Sequence, residues 1–291
     1  MEEKTMLDER TDRKPYFYDA VSIEKVMNKI DSNKKHIAEF VDVYPQFKEY
    51  LLSEAFREKN FLNGALTFLA LDGHHSIGIV PTENMSKEQI EAEDEKMHKI
   101  ECYFNACKYI YDMAHDESYY EVDAPLLLKA HALLDIDTEK GNRVASYRFR
   151  NESDPEIVMK GTCFQPVPGD LVDLRVQYLF TMFNTAWYHD PLIVRGAKFI
   201  TEYFRIQPSM DGNKRTALMG LNFMLLKNGY PEIYFQKKDH HKLLDSFEEG
   251  ILTRDVTSLS LLIANKILAR QEEINQEIIN YRIETFMKTQ G

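Results

Sequence analysis

Residues 205–231 read RIQPSMDGNKRTALMGLNFMLLKNGYP. They hold the end of one helix, a loop and the whole of a second helix. Pro208 disfavours helical backbone in the residue before it, so the upstream helix ends near Ile206-Gln207. The run from Asn213 predicts a helix that closes on Asn228-Gly229 with Pro231 beyond. The second helix therefore begins at or near Asn213. Its first amides lack intrahelical partners there, and its dipole makes that end positive. Gly212 lets a ligand approach the backbone closely. Asn213 offers an amide, and Lys214 and Arg215 add two cations, of which Arg215 can offer a planar fork to phosphate oxygens. Asp211 supplies a carboxylate suited to a magnesium ion that also touches phosphates. Together these residues describe a phosphate site at a helix N-terminus. A plainer reading stays open, with Asp211 as an N-cap, Gly212 as a turn residue, and Lys214 and Arg215 solvated. Gln207, just ahead of the loop, carries an amide that does not titrate.

Working outward, almost everything reads as helix. Ile23, Val26 and Ile30 recur at helical spacing, and Pro45 interrupts before a stretch that stops near Asp72-Gly73. Ser86 is a candidate cap for the next helix, and Asp123, with Pro125 behind it, for the one after. Asp170 is read as capping a helix whose apolar stripe is Leu171, Leu174, Tyr178, Met182 and Ala186. Asp190-Pro191 opens a helix with Ile193, Ala197, Ile200 and Phe204 on one face. The last helix runs from about Thr257 to Met287, and its Ile274, Ile278 and Tyr281 form either a core face or a partner face. The residues up to about Tyr18 read as a mobile arm. Between about 143 and 167 two short β-prone runs flank a turn at Ser153-Asp154-Pro155, which predicts a β-hairpin.

The chain has 291 residues, 44% of them hydrophobic, enough to bury a substantial core. A formal net charge of −11 excludes a general nucleic-acid binder but not a local basic pocket. No apolar run is long enough to span a bilayer, and the charged opening residues hold no signal-peptide core, so a cytoplasmic protein without membrane partners is expected. Cys102, Cys107 and Cys163 lack metal-ligand spacing and read as free or buried thiols. His131 lies among apolar residues and reads as a core histidine. Trp187 reads as packing. The adjacent pairs His74-His75 and His240-His241 read as loop or surface.

The register Gln207-Pro208-Ser209-Met210-Asp211-Gly212-Asn213-Lys214-Arg215 resembles the signature of the Fic family (Fic/Doc, or Fido fold), H-P-F-x-D-G-N-G-R. Residues 147–184, YRFRNESDPEIVMKGTCFQPVPGDLVDLRVQYLFTMFN, resemble the family's hairpin flap and next helix. Residues 190–208, DPLIVRGAKFITEYFRIQP, resemble the helix that leads into the motif. The resemblance implies an all-α fold with one small β-hairpin flap. It implies a Fic-like domain at 109–267, an arm and helical extension at 1–108, and a C-terminal helix extension at 268–291.

Fic proteins transfer AMP from ATP to a protein hydroxyl, and the motif His takes the hydroxyl proton. By resemblance ATP, or another nucleotide, and Mg2+ are the cofactors. Asp211 would hold the metal, and Gly212, Asn213, Lys214 and Arg215 the phosphates. A target or partner peptide would dock on the hairpin near 156–165 by strand addition. A homo-oligomer stays open.

The departures are as informative. Gln207 stands at the position of the base, Ser209 at that of the Phe, and Lys214 at that of the second Gly. An N-K-R triplet is similar to Doc-like phosphotransferases, in which the nucleotide sits inverted. Leu218 replaces a second Arg. The inhibitory pattern S-x-x-x-E-G is matched only by FLALDG, residues 68–73, with Phe68 and Asp72 at its Ser and Glu; Asp72 is the regulatory candidate, or else a plain helix end. The function expected is that of a nucleotide-binding signalling protein related to AMP transferases, with AMP transfer by the usual route impaired. Two alternatives stand beside it: an active nucleotidyl- or phosphotransferase drawing on another base, such as His189 or His241, and a non-catalytic relative that binds a partner peptide.

Overall fold

The computed structural model describes residues 14–71, 87–134, 148–159 and 164–290. Among the described residues ten α-helices follow in order. They are α1 (Ala20–Val43), α2 (Pro45–Leu51), α3 (Glu54–Leu71), α4 (Lys87–His115), α5 (Ala124–Leu133), α6 (Val172–Asn184), α7 (Leu192–Ile206), α8 (Asn213–Lys227), α9 (His240–Thr253) and α10 (Thr257–Gln290). Local chemistry sets several of the ends. The Asp19 carboxylate accepts from the amides of Val21 and Ser22 to open α1. Asp123 accepts from Leu126 to open α5, with a proline in its first turn. α8 closes on Asn228, and Gly229 follows at φ 70°. The helical class expected from the sequence is the class observed.

α7 and α8 are joined by the loop 207–212 and lie against each other in the middle of the molecule, nearly every residue of both being buried. They come so close that a Cβ on Gly196 would sit 2.6 Å from Leu221 Cδ1, and one on Gly220 would sit 2.8 Å from Phe199 Cε1. α4 and α5 cover α8, while α6, α9 and α10 cover α7. α1 packs along α10. The main core runs from Ile23 to Ile267. A smaller cluster seats Ile274, Ile278 and Tyr281 of α10 on Phe40 and Phe47, so that stripe is a core face.

A helix buried on all sides must neutralise its charges. On α7 the buried charged residues are Lys198, Glu202 and Arg205, while Arg195, half-buried, lies over the Phe183 ring. Lys198 Nζ lies 2.7 Å from the Asp190 carboxylate. Arg205 Nε donates to one Glu202 oxygen at 2.8 Å, and Arg254 and the Tyr16 hydroxyl donate to the other. Burial on its own would raise the Glu202 carboxyl, but Arg205 and Arg254 outweigh it and hold it at about 2.

Three expectations need correction. Residues 14–18 are not a mobile arm: the Phe17 amide donates to Arg254 O at 3.0 Å, and Val256 N–H donates to Phe17 O at 3.1 Å. Together with Tyr16 on Glu202, these bonds anchor the segment. The α6 stripe is wrong as well. The buried face is Val172, Val176, Leu179 and Phe183, whereas Leu174 and Tyr178 are 62% and 56% exposed. α6 offers two apolar stripes, and β-branched Val172 and Val176 lie on the one that meets α7. Last, the small β-hairpin flap is absent among the described residues. The turn at 152–154 forms, but 155–159 and 164–168 carry no regular secondary structure, and 160–163 lie outside the described residues. The Arg150 amide donates to Pro208 O rather than to a second strand.

Two expectations about stability follow. A carboxyl depressed in the folded state contributes stability that is complete above its ordinary value, here 4.5, and is lost as pH falls toward the folded value. Glu202→Gln is thus expected to lower the melting temperature at neutral pH and to flatten the fall in stability between those two values. Thermal melts across that window check it, and a variant with the wild-type slope refutes the assignment. Gly220→Val is expected to cost about 1–3 kcal/mol by overpacking α7 against α8, read as a lower urea midpoint.

Candidate functional site

α7 ends at Gln207, which takes the left-handed conformation at φ 50°, ψ 63°. A non-glycine residue in that region costs roughly 1–2 kcal/mol, so something must hold it there. The side chain does so at both ends. Gln207 Nε2 donates to Phe204 O at 2.7 Å, and Gln207 Oε1 accepts from Asn213 Nδ2 at 2.8 Å. Asn213 also closes the loop on itself: Nδ2 donates to Ser209 O at 2.6 Å, and Oδ1 accepts the Ser209 amide at 2.7 Å. The resemblance places a Phe at residue 209. Here Ser209 is buried, its hydroxyl has no partner, and Asn213 holds the loop in its stead.

Arg150 clamps the same turn from outside. Its Nε donates to Gln207 O at 2.6 Å, and its Nη2 reaches Ile206 O at 3.0 Å and also Val167 O. Burial draws this guanidinium below its usual range, with Asp154 opposing. Two residues earlier, Arg148 forms a two-pronged pair with Asp154 at 2.6 and 2.8 Å, which shapes the turn at 151–154. The sequence does not distinguish the two arginines, because only the tertiary fold buries Arg150.

The far side of the loop is different. Gly212 has φ 73° and caps α8, and its amide donates to Asp211 Oδ1 at 2.5 Å. The Asp211 side chain is 69% exposed. The first rung of α8 runs from Thr216 N–H to Gly212 O, so the amides of residues 213–215 lie ahead of the helical ladder. Arg215 is buried rather than solvated. It donates to the Tyr103 hydroxyl, lies 5.4 Å from the centre of that ring, and approaches Asp211 Oδ1 at 3.4 Å. Tyr103 in turn meets the edge of Phe68, which is 1% exposed in α3. The α3 position that the resemblance equates with Ser is therefore a core aromatic, joined through Tyr103 to Arg215. Leu218 is buried in α8, and Asp72 lies outside the described residues.

The histidines sort cleanly. His131 is buried with Nδ1 3.1 Å from the Thr216 hydroxyl, a satisfied core histidine. His189 stacks edge-on to Tyr188 in the connection between α6 and α7. His240, read from the sequence as loop or surface, opens α9 within electrostatic reach of Lys214. Burial, then Lys214, then His241 lower its pKa from the usual imidazole value. Only the fold brings α9 to the loop, so no local signal could have found it. Among the described residues no group of three or more His, Cys, Asp or Glu could by itself hold a metal ion. A magnesium ion at Asp211 fits this loop as one shared with phosphate oxygens, since the exposed carboxylate stands beside the positive end of α8.

No protein-family model matches the sequence, and no curated protein matches it. Solved structures do. A fragment of Fic-1 from C. elegans (aa134–508) superposes with a TM-score of 0.61 at 15% identity, over 88% of this chain and 73% of that one. A Fic domain containing signaling protein from Bacteroides thetaiotaomicron gives 0.65 at 14% identity, over 88% and 98%. A Fic family protein from Desulfovibrio desulfuricans gives 0.59 at 16% identity, over 92% and 77%. The chain has the fold of the Fic-domain proteins, and at these identities the likeness is one of fold.

The clamp can be tested directly. Arg150→Met removes the donors to three buried carbonyls, and each group left without a partner costs about 1–3 kcal/mol. Urea unfolding is expected to show a loss of several kcal/mol, with Arg150→Lys recovering only part because an ammonium cannot span the same fork. Wild-type stability in Arg150→Met would show that the loop needs no clamp.

Proposed function

We propose that this chain is a Fic-type signalling protein that binds the phosphates of a nucleotide at the loop 207–215 and lacks AMP transfer by way of residue 207. The observation that carries this reading is the contrast between Gln207 and Asp211. The Gln207 amide is engaged at both ends in holding the turn and cannot take a proton, while the Asp211 carboxylate is exposed at the N-terminus of α8. In this reading ATP or a related nucleotide lies with its phosphates at the Asn213 end of α8. Asp211 holds Mg2+, which supplies charge neutralisation of the phosphates. Lys214 and Arg215 add positive charge from the helix and Gly212 the room for close approach. A partner peptide pairs along the segment near 156–165, of which residues 156–159 and 164–165 are described.

A second reading has one observation in its favour. His240 is a half-buried imidazole at the start of α9, and burial, then Lys214, then His241 draw its pKa below the usual imidazole value, which suits a base acting on a hydroxyl near the loop. It makes the chain an active nucleotidyl- or phosphotransferase.

Labelled ATP separates the two. A neutral imidazole can keep the donor bond to Phe204 O through one nitrogen and leave the other to take a proton, so Gln207→His adds a base to the turn. With magnesium and a protein lysate, wild type is expected to bind ATP in calorimetry and transfer neither α- nor γ-label. Gln207→His is expected to transfer α-label, about 10²–10⁴-fold above wild type. Transfer by wild type that His240→Ala abolishes establishes the second reading instead. Failure of both proteins to bind ATP removes the nucleotide from the proposal.

A further inference from the structure

We propose that the cavity between α3, α10 and the connection 232–237 binds a guanine-type base, a flat neutral ring with two adjacent N–H donors beside a carbonyl. Its volume of about 420 Å³ is within the range of small-molecule sites, roughly 300–1,000 Å³. Asn60, Leu66, Glu232, Tyr234, Ala269 and Arg270 line it, and none of them belongs to the loop 207–215. The wall is closely built: a Cβ on Gly64 of α3 would sit 2.6 Å from the Tyr234 ring.

The cations of the wall are taken. Lys266 pairs with Asp239, Arg270 Nη1 pairs with Glu273 at 2.6 Å, and Lys237 is engaged too. Recognition therefore falls to two buried groups that the protein leaves open. Asn60 is 7% exposed, and its Oδ1 accepts from Arg270 Nη2 at 2.6 Å. Its Nδ2 has no acceptor among the described residues. Glu232 is 9% exposed, and Arg270 Nη2 stands 3.7 Å from its Oε1, an ion pair too long for a hydrogen bond. Burial raises this carboxyl above its usual range, with Arg270, its own backbone amide and His115 opposing and Glu273 adding to the rise. Both open groups sit at the Asn60 end of the cavity, about 16 Å of helix before the last residue of α3.

Those two groups select an edge. A carboxylate accepts two hydrogen bonds side by side, and an amide nitrogen donates. Both residues flank the same guanidinium nitrogen, so one ring edge can reach both. The guanine edge carries N1–H and a 2-amino group, which match the Glu232 oxygens. Beside them stands O6, which matches the Asn60 Nδ2–H. Adenine offers one amino group next to a bare ring nitrogen and has no carbonyl, so it leaves both protein groups short of a partner. Leu66, Tyr234 and Ala269 offer apolar surface to the ring faces.

The full chain is titrated with guanosine, inosine and adenosine by calorimetry. Guanosine is expected to bind saturably. Inosine, which lacks the 2-amino group, and adenosine are each expected to bind at least about ten-fold more weakly. Glu232→Gln sets a donor where the ligand offers one, and is expected to weaken guanosine by about ten-fold or more. That variant also takes a partner from Arg270, so a second one guards against a loss of folding. Ala269 is exposed on the wall, and Ala269→Phe is expected to fill the cavity and abolish binding at the wild-type melting temperature. Magnesium ATP is expected not to compete with guanosine. No saturable heat at millimolar guanosine, equal affinity for inosine or adenosine, or wild-type affinity in either variant each overturns the proposal. Competition between guanosine and ATP overturns it as well, because it moves the base to the loop.

Discussion

The left-handed turn at Gln207 is the constraint on which the centre of the molecule depends. α7 and α8 must fold back on each other closely enough to bring Gly196 against Leu221 and Gly220 against Phe199. That geometry requires the chain to leave α7 abruptly and to enter α8 through Gly212. Gln207 makes the first bend at a conformational cost, and its own amide, Asn213 and Arg150 offset that cost. The residue at the position of the catalytic base is thus also a structural cap. In this chain both ends of the Gln207 amide are engaged in holding the turn.

What could be read from the sequence was local. Pro208 ends α7, Asn228-Gly229 ends α8, and Asp123 caps α5 because these effects act within a few residues. The candidate phosphate-site residues stand out in the sequence for the same reason: Asp211 through Arg215 are consecutive. What could not be read depends on long-range burial. Arg148 and Arg150 look alike in a string, yet one shapes a surface turn and the other holds three buried carbonyls. α6 presents two apolar stripes, and only the packing of α7 chooses between them. His240 reaches the loop because α9 folds back on α7. Among the described residues of 148–168 no strand forms: the Arg150 amide bonds Pro208 O and the Asn151 and Ser153 amides bond their own turn, so propensity lost to tertiary anchoring.

The loop 207–215 combines an open helix end with an exposed carboxylate in a chain of net charge −11. Net charge did not foretell this arrangement, because a local potential is set by the groups that line it.

The Glu202 cluster also bears on how the protein is made. Its members come from residue 16, from α7 and from residue 254, and α1 likewise finds its long partner only in α10. As the chain emerges from the ribosome, Glu202 and Arg205 are complete long before Arg254. The Glu202 carboxylate of the interior helix therefore waits, with one of its oxygens unpaired by Arg254, until residue 254 has been synthesised. Docking of the amino-terminal segment belongs to the last stage of folding, after translation has passed α9.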